Sequence, residues 1–334
     1  MPEISPDTDV AAPFGPGADS AGELRFAAIE NLSTDDLALQ LQEVGVQKRK
    51  RFSVVAWLAF GWMALVVGAA ILAPVLPLDD PDTLNAECVN ADFGTQFSEG
   101  HYLGCDGIGR DLLSRNIWGA RSSLFVALGA TAVGFLVGGG LGLIGGYYRG
   151  RLDGFLSSAF DVLLAFPALV LALTLVAVFA TAPLGQTVSS QRRLVVLVIA
   201  LGIVSIPIVA RIARANTLTW AQREFVMAAR AQGAKNRRII WREVLPNVLP
   251  AMFSISLLGV AVIIVAEGGL SVLGLGVQLP TPSWGNIISS GRQDLEDSPW
   301  IVFGASMFIF LTVLALNFLG DVVRERFDVR ESAL

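Results

Sequence analysis

The chain has 334 residues, of which 53% are hydrophobic and 16% are charged, and its mean hydropathy is +0.61. Soluble domains carry roughly 25% charged residues, so this composition excludes an ordinary soluble protein and predicts a membrane protein. The formal net charge of -5 says little about partners, because the position of each charge relative to the bilayer matters more than the total.

The N-terminal region is rich in Pro, Gly, Ala and Asp, and we expect residues 1–51 to form a mostly disordered tail. A short amphipathic helix is an alternative for part of it, because Ser33 and Asp36 have the spacing of a capping box. The apolar stretch that follows is too long for the hydrophobic region of a signal peptide, so we expect it to remain as the first span.

Uncharged apolar stretches of about 20 residues are long enough to cross a bilayer as helices. The chain has six of them, at 52–78, 122–148, 162–191, 194–210, 244–266 and 298–320. We therefore predict an all-α polytopic membrane protein. Its first span is 52–78, a loop covers 79–117, and five further spans form a core at 118–323.

A seventh uncharged stretch, 268–291, differs from the other six. It contains Pro280, Pro282 and clustered glycines, which do not suit a regular span. We predict that span five ends near its start and that a surface or re-entrant segment follows.

The orientation follows from Lys and Arg in short loops, which stay on the cytoplasmic side. Basic residues cluster just before the first span, in 149–154, in 211–246 and in the C-terminal tail 324–334. The segment 77–109 is acidic and has neither Lys nor Arg. Six spans with both termini in the cytoplasm satisfy this distribution.

Two cysteines, Cys88 and Cys105, lie in the acidic segment that we place outside the cytoplasm. A disulfide can form and persist in that compartment, and two unpaired thiols are the alternative. Metal binding is disfavoured, because His101 is the only histidine and one His with two Cys lacks the usual fourth ligand.

Glycines recur every four residues in the second span, at Gly134, Gly138, Gly142 and Gly146. Small residues at this spacing let two helix backbones approach closely, so the stripe predicts packing against another helix, either in this chain or at a subunit interface. Pro167 and Pro207 predict kinks in spans three and four. Asp161 and Glu267 lie near span ends, which favours interfacial or structural roles over an ion relay.

The basic segment between spans four and five predicts a helical hairpin over 218–246. Residues 218–232 are expected to form one helix, Gly233 a tight turn and about 235–245 a second helix that ends at Pro246. The first helix has a face of mostly small residues, formed by Phe225, Ala228, Ala229 and Gln232. Basic residues form a rim around it: Arg230, Lys235, Arg237, Arg238 and Arg242. Docking into another protein and resting on anionic headgroups fit this pattern equally.

The motifs "MAARAQG" and "VLPN" resemble the EAA loop, the signature of membrane subunits of type I ABC importers, which forms their coupling helices. The matching positions are Ala228, Ala229, Gly233, Leu245 and Pro246, and Phe225 and Arg230 lie within the same hairpin. Met227 stands where the family has Glu, and Glu243 where an aliphatic residue is common. The resemblance therefore implies docking to the ATPase without the hydrogen bond or ion pair that a Glu at this position would make.

Further stretches resemble the oligopeptide, dipeptide and nickel permease family: "HYLGCDGIGRDLLSRNIWGARSSL" (101–124), "AEGGLSVLGLGVQLPTPSWGNII" (266–288) and "LTVLALNFLGDVVRERFD". The Leu-Gly-x-Asp-x-x-Gly-Arg-Asp run is typical of the second, C-type permease subunit. The resemblance implies six spans, alternating access and a bacterial cytoplasmic membrane location. It also implies a homologous second permease as heterodimer partner, two ATPase subunits that bind ATP and Mg, and an extracytoplasmic substrate-binding protein.

The sequence has no Gly-x-x-x-x-Gly-Lys-Ser/Thr run, so we expect no bound cofactor and no ATP hydrolysis in this chain. Import of di- or oligopeptides is the leading hypothesis, and nickel or another small solute is an alternative within the family. A self-contained secondary transporter would need midplane charges on broken helices, for which Asp161 and Glu267 are poor candidates. The pattern identifies no substrate-binding residue.

Overall fold

The computed structural model describes residues 54–85, 88, 101–180 and 189–331, with side chains up to residue 326. This part of the chain contains helices and no strand, in agreement with the predicted all-α class. The helices are α1 (Val54–Leu72), α2 (Leu112–Val133), α3 (Gly139–Tyr148), α4 (Gly150–Ala165), α5 (Ala168–Phe179), α6 (Ser190–Trp220), α7 (Glu224–Ala231), α8 (Asn236–Ile239), α9 (Leu245–Val272), α10 (Trp284–Gly291) and α11 (Trp300–Glu331). The predicted tail 1–51 lies outside the described residues.

Five helical rods in the described ranges are long and apolar enough to cross a membrane, and one bent pair of helices makes a sixth crossing if it counts as one span. The rods are Val54–Leu72, Leu112–Tyr148, Ser190–Trp220, Asn236–Val272 and Trp300–Arg326. Each begins or ends beyond the apolar stretch that predicts it, except for the first. Backbone hydrogen bonds of a helix do not need apolar side chains, so a helix can extend beyond the apolar stretch. A search for apolar residues detects only the part that would lie in the hydrocarbon core.

The second span begins earlier than the sequence predicts, so the expected loop 79–117 is too long by several residues. Asp111 caps α2 by accepting a hydrogen bond of 2.7 Å from the Ser114 N–H. The polar first turn is buried rather than solvated, since Ser114 donates to the Asp79 carbonyl and Arg115 to the Pro81 carbonyl. A polar but buried helix start leaves no signal in a search for uncharged residues.

The third span departs most from prediction, because 162–191 is not one helix. Phe166 has an extended backbone with ψ of 135°, and α4 and α5 meet at an angle of 88° across it. Pro167 explains this break, since its ring disfavours helical geometry at the preceding residue. Residues 181–188 lie outside the described part of the chain.

The segment after span five folds back into the molecule, as its prolines and glycines predict. It leaves α9 at Leu273 and turns at Gly274, which has a φ of +80°. The chain then returns through α10, whose Trp284 and Ile287 are buried. Ser283 and Asn286 form a capping box at the start of α10, so this short helix satisfies its own first N–H groups.

The glycine stripe of span two lies against α6 of the same chain. A π-helical turn, Gly134–Gly138, joins α2 to α3. A Cβ atom added at Gly146 would lie 2.8 Å from the Arg214 carbonyl oxygen, and one at Gly142 would collide with the Ala210 carbonyl. The stripe therefore brings two backbones into contact within one subunit. Pro207 lies inside α6 and does not end the helix.

Substitution of Gly142 tests this packing. We expect Gly142→Leu to destabilise the protein by about 1–3 kcal/mol, since the side chain would have to displace the α6 backbone. Gly140→Leu is the matched control, because a Cβ there meets no atom within 4 Å. Thermal unfolding in detergent measures the difference, and equal unfolding temperatures for the two variants would contradict the close contact.

Candidate functional site

The hairpin segment, residues 221–244, connects α6 to α9. The prediction of one helix over 218–232 is wrong, because α6 ends at Trp220 and α7 begins at Glu224. The Ala221 and Arg223 N–H groups bond to carbonyls of the last turn of α6, and Arg223 then adopts extended geometry. The Arg223 guanidinium lies 5.3 Å from the centre of the Trp220 ring, which holds the turn in place.

The tight turn predicted at Gly233 is present. Gly233 has a φ of +80°, a conformation that residues with a Cβ rarely adopt. Its N–H bonds to the Arg230 carbonyl, and the Ala234 N–H bonds to the Ala229 carbonyl. These two bonds form a Schellman motif, which ends α7 and directs the chain into α8.

The inner face of the hairpin segment is anchored in an apolar cluster. Val226, Ile239 and Val244 are fully buried there, and the cluster also contains Tyr147 and Trp220. Val226 sets the rotation of α7 about its axis, because it is the fully buried residue of this helix. No sequence pattern distinguishes Val226 from Phe225 and Met227, which are equally apolar.

The predicted small face of Phe225, Ala228, Ala229 and Gln232 is exposed except at Ala229, and Met227, which lies outside that face by helical spacing, is exposed as well. Phe225, Met227 and Ala228 are exposed, with Phe225 at 39% and Met227 at 54%. Ala229 is half-buried and packs against the apolar cluster, so it does not share this face. The break at 221–223 rotates α7 relative to a continuous helix, which explains the difference. The exposed side of α7 therefore carries both small and large apolar side chains.

Tyr147 at the end of α3 connects the hairpin segment to span two. Its hydroxyl bonds to Asn236 Oδ1 at 3.0 Å, and the Arg230 guanidinium lies 5.3 Å from its ring centre. One side chain thus contacts both helices of the hairpin segment. Tyr147 therefore joins the hairpin segment directly to the glycine-rich span.

The helix does not end at Pro246 as predicted. The rod from Asn236 to Val272 is continuous, and a π-helical turn, Ile240–Val244, precedes the proline. Pro246 follows this π-helical turn, where the bonding departs from the regular i→i−4 pattern, so its missing N–H does not end the rod. Leu245 packs against the apolar cluster, while Pro246 is exposed.

Glu267 is the most buried acidic residue that the sequence singles out. Its carboxylate has no exposed surface and accepts hydrogen bonds from Ser271 Oγ at 2.8 Å, Ser283 Oγ at 3.0 Å and Ser123 Oγ at 3.2 Å. The Val277 N–H is a fourth donor. The predicted structural role fits this arrangement, but the three serines were not foreseen, since serine spacing in sequence does not show that they converge.

Two of these serines bond both to the carboxylate and to backbone N–H groups at the start of α10. The Trp284 N–H donates to Ser123 Oγ at 3.2 Å, and the Asn286 N–H donates to Ser283 Oγ at 3.1 Å. Because both hydroxyls accept from N–H groups, their protons are free to point at Glu267. The carboxylate therefore fastens α10 to α2 and α9.

Asp161 on α4 forms an ion pair with Arg211 on α6. Earlier on α4, Asp153 accepts two hydrogen bonds from the Arg214 guanidinium, which also belongs to α6. Both pairs join α4 to α6, before the bend at Pro167. This arrangement matches a structural role for Asp161.

The described part of the loop before α2 is held by a disulfide and by ion pairs. Cys88 and Cys105 are bonded to each other, so neither offers a thiolate to a metal together with His101. Arg110 pairs with Asp106 at 2.6 Å rather than with its neighbour Asp111. Burial raises the pKa of the Asp111 carboxyl, while the Ser114 N–H and His101 favour its charged form.

Residues 138–332, which include α3 to α11 and the hairpin segment, match the model of a family described as "Binding-protein-dependent transport system inner membrane component". The chain belongs to this family. A solved relative in fold is the MetNI methionine ABC transporter in an inward-facing conformation, with a TM-score of 0.51 and 17% identity over 63% of this chain and 94% of that one.

Curated relatives in this transport family are more similar in sequence. The dipeptide transport system permease of Alkalihalophilus pseudofirmus is 39% identical over 68% of this chain and 71% of its own length. A glutathione transport system permease of Escherichia coli is 35% identical over 84% and 88%. The di/tripeptide transport system permease of Pseudomonas aeruginosa is 35% identical over 80% and 85%.

Substitution of Glu267 tests the carboxylate network in this inner membrane component. We expect Glu267→Gln to destabilise the protein by about 3 kcal/mol, because an amide NH₂ group would face hydroxyl donors that then lack an acceptor. Glu296→Gln is the control, since Glu296 is exposed. The thermal unfolding midpoint in detergent measures both, and a Glu267→Gln midpoint equal to that of wild type would refute the network's importance.

Proposed function

We propose that this chain is a membrane-spanning permease subunit of an ATP-driven importer that moves di- or oligopeptides into the cytoplasm by alternating access. The observation that carries the substrate class is the set of relatives named for dipeptide, di/tripeptide and glutathione transport, at 35–39% identity. Glutathione is itself a tripeptide. The permease fold and the hairpin segment support the ATP-driven mechanism.

Energy for transport comes from separate subunits in this proposal. The sequence has no phosphate-binding Gly-x-x-x-x-Gly-Lys-Ser/Thr loop, and ATP and Mg would be bound by two partner ATPase subunits. The exposed α7 face, with Phe225, Met227 and Ala228, is the surface that we assign to ATPase docking. Its exposed apolar area is suited to burial against a partner. Met227 makes this contact apolar where a Glu would make it ionic.

Mechanical coupling runs from α7 through Tyr147 and the apolar cluster to α3 and α6. A partner can shift this conformational equilibrium only if it binds the two states with different affinity. The hairpin segment would therefore contact the ATP-bound and ATP-free partners differently. Because its inner face is fixed in the core, the displacement would be passed on rather than absorbed.

The remaining assembly is proposed from the family. A homologous second permease would complete a heterodimer, and an extracytoplasmic binding protein would deliver the peptide. The complex would lie in the bacterial cytoplasmic membrane with both termini of this chain inside. The basic hairpin segment on the inner side and the disulfide on the outer side are compatible with that orientation.

Reconstitution tests the proposed transport. The chain is purified with the proteins that bind it and placed in liposomes, and uptake of labelled di-, tri- and longer peptides and of Ni²⁺ is measured with and without ATP. We expect uptake of short peptides only with ATP and the partner proteins. Full-rate uptake by this chain alone without nucleotide, or Ni²⁺ uptake without peptide uptake, would overturn the proposal.

A single charge on α7 tests the docking surface. We expect Ala228→Asp to lower ATP-driven uptake roughly tenfold or more, since an unpaired charge would be buried in the contact with the ATPase. Gln222→Glu is the control, because it adds a charge at an exposed position in the turn before α7. Protein level in the membrane is measured in parallel, and normal uptake by Ala228→Asp at a normal level would exclude this docking surface.

A further inference from the structure

We propose that Arg237, Arg238, Trp241 and Arg242 form a binding surface for anionic phospholipid headgroups of the adjoining membrane leaflet. We call this set the Arg-Trp surface. It lies on the second half of the hairpin segment and is separate from the exposed face of α7. It does not depend on which solute the protein transports.

The four side chains of the Arg-Trp surface are neighbours in the chain. Arg237 and Arg238 lie in α8, and Trp241 and Arg242 lie in the π-helical turn that follows it, Ile240–Val244. All four are exposed, and Trp241 is 64% exposed. The residues that alternate with them, Ile239, Ile240 and Val244, are buried in the apolar cluster, so the exposed side of this segment carries the three arginines and the indole.

The three guanidinium groups lack carboxylate partners within the described residues. No ion pair or hydrogen bond joins the guanidinium group of Arg237, Arg238 or Arg242 to these parts of the chain, whereas those of Arg110, Arg211 and Arg214 each pair with an aspartate. Glu243 is the neighbouring acid, and it is half-buried on another side. Three unpaired positive charges on one face complement the phosphates of an anionic leaflet.

The position of the Arg-Trp surface along its rod matches a headgroup layer. The uncharged run of this span begins at Val244 and continues to Ala266. With a rise of about 1.5 Å per residue, Arg242 lies about 3 Å and Arg237 about 10 Å before that run. The headgroup region is roughly 5–8 Å thick on each side of the hydrocarbon core, and long arginine side chains can reach back into it.

The exposed indole favours lipid over a protein partner. Tryptophan is enriched at membrane boundaries, where its ring lies among the headgroups and its N–H reaches polar groups. Further along the same rod, Leu249 and Phe253 are exposed at 37% and 52%. The Arg-Trp surface thus stands at the end of a rod whose exposed side chains are apolar, as those of a lipid-facing span are.

Lipid retention tests the Arg-Trp surface on the full chain. The protein is extracted from bilayers of equal phosphatidylglycerol and phosphatidylcholine, and retained lipids are identified by native mass spectrometry. We expect the wild type to retain phosphatidylglycerol preferentially and Arg238→Gln with Arg242→Gln to reduce this preference roughly tenfold or more. Arg151→Gln with Arg326→Gln is the control, which removes the same charge from two exposed positions elsewhere.

A second variant keeps the test valid if loss of both arginines impairs folding. Trp241→Ala leaves the charges intact and is expected to shorten lipid retention while the unfolding temperature stays close to wild type. Equal phosphatidylglycerol preference in wild type and in Arg238→Gln with Arg242→Gln would overturn the proposal. Loss of ATPase binding by that variant with unchanged lipid retention would also overturn it and would assign the surface to a protein partner.

Discussion

A carboxylate enclosed in a membrane protein must be surrounded by hydrogen-bond donors, and this requirement organises the structure around Glu267. Burial of an unpaired charge is strongly unfavourable, so the four donors that reach this carboxylate are a condition of the fold. They come from α2, α9 and the segment that leads into α10. The chain after span five can return into the molecule because Ser283 and the first N–H groups of α10 find acceptors there.

The sequence predicts those features of the fold that depend on single-helix patterns. Apolar length identifies the spans, the four-residue spacing of Gly134 to Gly146 identifies a helix contact, and Pro167 and Pro280 identify interruptions. Helix ends are less predictable, because a polar turn such as Ser114 to Asn116 can be buried when a loop covers it. The choice between a contact within the chain and one between subunits depends on tertiary position, which spacing alone does not contain.

The candidate site likewise has some features that the local sequence predicts and others that depend on tertiary packing. The positions of α7, Gly233 and the basic rim follow from a local motif and local turn chemistry. The rotation of α7 and the inward position of Ala229 depend on the break at 221–223 and on packing in the apolar cluster, and the bond from Tyr147 to Asn236 joins residues 89 positions apart, so helical spacing alone does not indicate them. The continuation of the rod past Pro246 has a related cause, since the proline follows a π-helical turn that no spacing in the sequence indicates.

The contact between α3 and α6 also limits which mutations the gene can tolerate. Any single-nucleotide change that replaces a glycine adds at least one side-chain carbon. At Gly138 and Gly142 that carbon would meet a main-chain carbonyl oxygen, which cannot swing aside as the end of a flexible side chain can. No single-nucleotide change at these two glycine codons therefore gives a conservative substitution. A substitution there can be accommodated only if the opposing backbone shifts as well.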